Sequence, residues 1–364
     1  MGTDLLADLE AMARAASTDV DRWIFRAQRT CALARLGRIE AARLEIRDLR
    51  ALNTSFEPKL TAWILLAEGL CDHFASLSTD AIDQFKRAHG LGCAIGDLEI
   101  RSLAAAWIGA SEFLMGRHEA AALRAAEAIK HSPTNGHLAR SRAHLVLANC
   151  LYGFGSESLA ARHYAKARSS AVDAHDISMQ SAILYNLAAF RLWRLSFEDA
   201  FGVPLVADEV HLAALEVESI DNLDRGLQIA SLQAMVPLLR AQLRLIGTRW
   251  AEADAIYSEF AHGSTRRLTP RYLAEQSHCK AMLCLREQAL ELAAQAQDLV
   301  TEKTELDDRA VCHARLSSSF ACFGMNREAR AQSEASQKYR TAFLEYQGGL
   351  RARLVSIADE AVLQ

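Results

Sequence analysis

Apolar and polar positions alternate most clearly over residues 141–168, SRAHLVLANCLYGFGSESLAARHYAKAR, with the period of 3.6 that marks a helix. The stretch predicts two short amphipathic helices joined by a tight turn at Gly155. The first carries Leu147, Ala148 and Leu151 on one face; the second carries Ala160, Tyr164 and Ala167. Such a hairpin cannot bury both of its faces alone and needs a copy of itself on each side.

The chain supplies the copies. Turn positions recur at Gly37, Ser76, Gly116, Gly155 and Leu195, at intervals of 39, 40, 39 and 40 residues. Five residues after each turn stands an alanine: Ala42, Ala81, Ala121, Ala160 and Ala200. A small side chain there lets the second helix of a hairpin approach the first. Four residues on come Ile46, Phe85, Ala125, Tyr164 and Pro204, and three beyond those Leu49, Ala88, Ala128, Ala167 and Ala207. Together they form an i, i+4, i+7 face. Ile108 and Gly109, and Leu187 and Ala188, match Leu147 and Ala148 in the first helices. The pattern predicts an all-α chain with about eight helix–turn–helix repeats over residues 1–333.

The ladder breaks after Ala207. Residues 208–226 read as an irregular insertion, and Pro204 and Pro237 are expected to distort the fifth and sixth repeats, because an interior proline removes a backbone hydrogen bond. Further turns are expected at Gly247, near Glu287 and at Gly324, the last again followed by an alanine, Ala329. Pro58, Pro133 and Pro270 fall between hairpins, and residues 261–270 read as a surface loop. Residues 334–364 form a separate C-terminal element. Its apolar stripe of Tyr339, Phe343, Tyr346, Leu350, Leu354 and Ile357 suits either an end cap or the seam of a homodimer.

The spacing of small and large residues resembles the tetratricopeptide repeat. The best matches are LA..L...G....A...Y..A at 147–167 and LS..F...G....A...S..S at 316–336, with a period near 40 instead of 34. Long-period arrays of this kind are similar to the helical sensor regions of bacterial regulators, among them peptide-responsive phosphatase regulators, maltose-type transcription activators and the input regions of some diguanylate cyclases. The resemblance implies a right-handed α-solenoid whose groove is lined by the first helix of each hairpin. It places Arg142, Leu145, Asn149, Tyr152 and Gly153 there, and on the next such helix Tyr185 and Trp193. Arg142, Asn149, Tyr152, Tyr185 and Trp193 are therefore the candidate peptide- or protein-binding residues. An amide such as Asn149 both donates and accepts, and aromatic side chains make good anchors. The implied function is a non-catalytic scaffold or regulatory module that binds a protein or peptide. The alternative is a ligand-sensing, dimerising input module whose output domain lies elsewhere.

Composition narrows these readings. Apolar residues make up 51% of the 364 and charged residues 24%, and the formal net charge is −4, so nothing suggests direct contact with nucleic acid. The acidic start with Asp4, Asp8 and Glu10 does not read as a signal peptide, and no apolar run approaches the ~18 residues of a membrane span. Eight cysteines without a CxxC pair read as reduced, buried apolar residues of a cytoplasmic protein. The excess of arginine over lysine, with abundant alanine, is associated with GC-rich bacterial genomes, so a bacterial source is expected. No catalytic, metal or cofactor motif survives: Gly90, Gly92 and Gly96 miss the dinucleotide spacing, and after His118 and Glu119 an alanine, Ala122, stands where a zinc-protease pattern needs histidine. The expectation is no enzyme and no cofactor. The arginines of the first hairpin, Arg22 to Arg50, read as a solvated face with local ion pairs.

Overall fold

The computed structural model describes residues 5–76, 81–263 and 269–362, and the regular elements among them are all helical. In chain order they are α1 (Leu5–Ala15), α2 (Asp19–Arg35), α3 (Ile39–Leu52), α4 (Pro58–Ser76), α5 (Ala81–Ile95), α6 (Leu98–Leu114), α7 (His118–His131), α8 (His137–Gly153), α9 (Glu157–Asp173), α10 (Ile177–Ala200), α11 (Ala207–Leu227), α12 (Val236–Ile246), α13 (Trp250–Gly263), α14 (Pro270–Met282), α15 (Arg286–Leu299), α16 (Leu306–Cys322) and α17 (Asn326–Val362). A single 3-10 turn, Gln233–Met235, precedes α12. No helix among the described residues is long and apolar enough to cross a membrane.

The chain divides into two compact units. Unit 1 comprises Met1–Asn186, Leu223–Leu232 and Leu350–Gln364; unit 2 comprises Leu187–Asn222 and Gln233–Gly349. In unit 1 the hairpins α2/α3, α4/α5, α6/α7 and α8/α9 follow one another. First helices pack on first helices, α2 on α4, α4 on α6 and α6 on α8, and the second helices α3, α5 and α7 also pack on the first helix that follows each. The alanine rule explains the close approach. Ala42, Ala81, Ala121 and Ala160 are completely buried. A Cβ on Gly109 of α6 would stand 3.0 Å from the Ala121 carbonyl oxygen of α7. Gly37, Gly116 and Gly155 turn the chain with positive φ, +82°, +69° and +74°, a conformation that costs glycine little. Asp97 caps α6 by accepting from the Ile100 amide at 3.0 Å, and Thr18 caps α2 by accepting from the Asp21 amide at 3.0 Å.

Beyond this point the structure corrects the sequence register. No turn occurs at Leu195: α10 runs unbroken to Ala200, and Leu195 and Ser196 are fully buried. The link comes at 201–206 and contains Pro204, which therefore kinks nothing. Residues 208–226 are no irregular insertion but the body of α11, burying Ala213, Val217 and Ile220 at i, i+4 and i+7. Pro237 lies in the first turn of α12, where its missing N–H costs nothing. The turn expected near Glu287 is at Cys284, φ +60°, and fully buried Ala289 follows it by five residues; likewise Thr248, φ +57°, precedes Ala253 by five. The rule held while the turn residue was not glycine. Helix α4 continues through Ser76, where a turn was expected; residues 77–80, and 264–268 of the expected 261–270 loop, lie outside the described residues.

The C-terminal helix starts at Asn326, eight residues before the expected boundary, and passes through Gly348 and Gly349 without a break. In unit 2 its Phe343 is buried against Trp193 and Phe197. In unit 1 its Leu350, Leu354 and Ala358 are buried. Phe343, Leu350 and Leu354 of the apolar stripe are thus covered within one chain, while Tyr339 and Ile357 are half-buried and Tyr346 is exposed. All eight cysteines are free; Cys31, Cys71, Cys150, Cys279 and Cys312 are buried as expected, whereas Cys93, Cys284 and Cys322 are exposed at helix ends and turns.

Candidate binding site

The predicted groove residues are mostly occupied by the fold itself. Arg142 is buried on α8, and its guanidinium lies 3.9 Å from the ring centre of Trp107 on α6. Burial, and next the nearby Arg35, pull this guanidinium down to about 9, against the opposing pull of Asp176. Asn149 is buried and bridges neighbouring helices: its Oδ1 accepts from the Tyr164 hydroxyl of α9 at 2.9 Å, and its Nδ2 donates to Asn186 Oδ1 of α10 at 3.0 Å. The amide that suits a peptide backbone suits a helix–helix junction equally well. Tyr152 and Tyr185 are half-buried. Trp193 belongs to unit 2, where its indole N–H donates to Asp307 Oδ2 at 2.6 Å and its ring meets Phe343 edge-on at 5.9 Å.

A different set of residues in unit 1 encloses a cavity of ≈ 250 Å³. The first helices supply most of its wall: Gln28, Cys31 and Arg35 from α2, Trp63 and Leu70 from α4, Leu103 and Trp107 from α6. Helix α1 lies against it through Leu5, Leu9 and Met12. Leu9 is buried, and α1 is fixed at its edges by Asp8, whose carboxylate meets His175 Nδ1 at 2.9 Å, and by the Leu5 amide on the His175 carbonyl. The sequence reading gave α1 no role. Its signal was the spacing of Leu5, Leu9 and Met12, one face of a single short helix outside the 40-residue ladder.

The cavity's charged flank is unusual. Arg35 and Asp176, both nearly inaccessible at 5% and 2%, pair at 2.5 Å. Asp176 also caps α10, accepting from the Met179 amide at 3.1 Å and the Ser178 hydroxyl at 2.6 Å. Arg142 feels the charges of both Arg35 and Asp176 but does not line the cavity, whose wall carries two further carboxylates, Glu99 and Asp173. Two donors in cavity-lining residues, Arg35 Nε and Trp63 Nε1, are buried with no acceptor among the described residues. Glu99, also in the wall, has its carboxyl raised above the usual range by burial and then by Asp97, with Lys59 opposing. Cys31 is no nucleophile, since burial pushes its thiol up to about 12.

The polar cluster of unit 2 centres on Glu275, and its one buried atom left without a partner among the described residues is Arg271 Nη2. Glu275, wholly buried on α14, accepts from Tyr257 at 2.8 Å, Ser196 at 3.0 Å and Arg271 at 3.2 Å. Arg271 reaches on to Asp308 at 3.1 Å. Among the described residues, no group of three or more His, Cys, Asp or Glu is arranged to hold a metal ion. No protein-family model matches the chain, and no curated protein matches it in sequence.

Proposed function

We propose that the chain is a non-catalytic, tetratricopeptide-like binding module of α-solenoid form, which recognises a helical segment of a protein or peptide partner on the inner face of unit 1. The observation that carries this reading is α1. An amphipathic helix of 11 residues already lies on the first-helix layer, with Leu5, Leu9 and Met12 turned toward the cavity. A face that accommodates one such helix has the shape and apolar character to accept another, in the helix-in-groove mode with anchors at i, i+4 and i+7. The chain's own helix then competes with the partner, so binding requires α1 to leave. A regulatory role in bacterial signalling fits this competition. Affinity capture from the source cells, comparing the wild-type chain with Leu9→Asp, tests the proposal. The variant is expected to enrich a specific partner more strongly, because a buried carboxylate in place of Leu9 ejects α1. Identical captured sets from both forms contradict it.

A further inference from the structure

We propose that the helix received by the face under α1 is cationic: an amphipathic partner helix whose apolar stripe is flanked by lysine or arginine, placed to pair with Glu99 and Asp173. The inference rests on the reading above, that this face binds a helix, and adds the charge that selects it. The cavity wall carries those two carboxylates and one cation, Arg35. Arg35 is already neutralised by Asp176 at 2.5 Å. The two acids are poorly matched. Glu99 stands near Asp97, which repels it, and Lys59, which attracts it but is itself held by Asp97 at 2.9 Å. Burial and then Asp97 raise its carboxyl above the usual range, as expected of an acid short of a counter-charge. Asp173 is the last residue of α9, at the negative end of the helix macrodipole, where cations are favoured and acids are not. The last turn of α9 holds no basic residue, and the ion-pair partner of Asp173 among the described residues is the His137 imidazole at 3.7 Å. Helix α1 answers none of this. It supplies the apolar anchors Leu5, Leu9 and Met12, but its charges are Asp8, Glu10 and Arg14, and Arg14 is turned to Glu10. Asp8 brings a further carboxylate to the same end of α9, against His175. The chain's own helix therefore fits the face in its apolar anchors and leaves the wall's charge unmatched, so a helix of opposite charge has the advantage in displacing it.

Two labelled peptides of residues 1–17, one native and one carrying Asp8→Lys, are titrated with the full-length Leu9→Asp chain at low ionic strength, and anisotropy is recorded. The Asp8→Lys peptide is expected to bind about tenfold more tightly, with the gain shrinking as salt is added. The gain should vanish on a Leu9→Asp chain that also carries Glu99→Gln and Asp173→Asn, with an unchanged circular dichroism spectrum. The new carboxylate on α1 is common to both chains, so it cannot produce that difference. The salt dependence of the gain stands on its own should the triple variant fail to fold. A native peptide that binds beside an Asp8→Lys peptide that binds no better overturns the charge assignment and leaves the helix-binding reading intact; no binding by either peptide removes both. A gain that ignores salt, or one that persists on the folded triple variant, also overturns the proposal.

Discussion

Gly37→Ala is expected to destabilise unit 1 well beyond the ordinary cost of removing a turn glycine. Two penalties fall on this residue. Its φ of +82° is left-handed, which costs an alanine about 1–2 kcal/mol. Its Cβ would also stand 2.6 Å from the Ser231 amide nitrogen and 2.7 Å from the Ala230 carbonyl carbon, contacts that backbone cannot absorb without moving. The shift would break the hydrogen bond from the Ala230 amide to the Leu36 carbonyl, 2.9 Å, worth about 0.5–1.5 kcal/mol, and would loosen the buried Ile229. These two terms total about 1.5–3.5 kcal/mol. Gly155→Ala is the internal control: its φ is +74° and its Cβ would meet nothing within 4 Å, so only the about 1–2 kcal/mol conformational cost applies. Urea denaturation of both variants, followed by circular dichroism, gives the two losses side by side. Equal losses would refute the reasoning, because they would mean that the 229–231 segment does not rest on the first turn.

Two further outcomes are expected. Trp193→Phe should lower the stability of unit 2 by about 1–3 kcal/mol, because the buried Asp307 loses the indole donor, and a denaturation midpoint unchanged from wild type would return Trp193 to a surface role. The His144 and His163 rings face each other through Nδ1 atoms 3.1 Å apart, which can share only one hydrogen. Burial is the main cause holding them down, to about 3 and about 4 from the usual 6.5. Between pH 6.5 and about 4 the unfolded chain binds protons that the folded one does not. Stability should therefore fall as pH drops below 6.5, by up to about 1.4 kcal/mol per pH unit for each ring. His163→Gln should flatten that slope in denaturation midpoints measured across the window.

The sequence showed the hairpins of unit 1 because one physical constraint repeats there: close helix approach demands a small residue at a fixed distance after a left-handed turn. Ala42, Ala121 and Ala160 each follow a glycine that satisfies it. The same constraint holds at Ala253 and Ala289, yet the turns at Thr248 and Cys284 use residues without glycine's signature, and there the register blurred. At Leu195 the 40-residue ladder pointed to a turn that the continuous burial of α10 overrides. The site was harder to read. Asn149 and Trp193 have the chemistry of binding residues, but the same hydrogen-bonding capacity serves the joints between helices, and only tertiary contacts distinguish the two uses. Arg35 is one arginine among the many of the first hairpin. Its neighbours pair locally, as Arg26 does with Glu45 at 2.7 Å, while its own partner, Asp176, lies 141 positions away. No local pattern announces such a pair.

The most direct test of the proposed binding role uses the chain's own helix as the ligand. A fluorescently labelled peptide of residues 1–17 is titrated with the full-length Leu9→Asp chain and, separately, with the wild-type chain, and anisotropy is recorded. The account predicts saturable binding to the variant, whose face has been vacated, and little binding to the wild type, whose face is filled; unlabelled peptide should compete, and a peptide carrying Leu9→Asp should not. A folded Leu9→Asp chain that does not bind the peptide, or a wild-type chain that binds it equally well, would contradict the claim that the α1-covered face of unit 1 is a recognition surface.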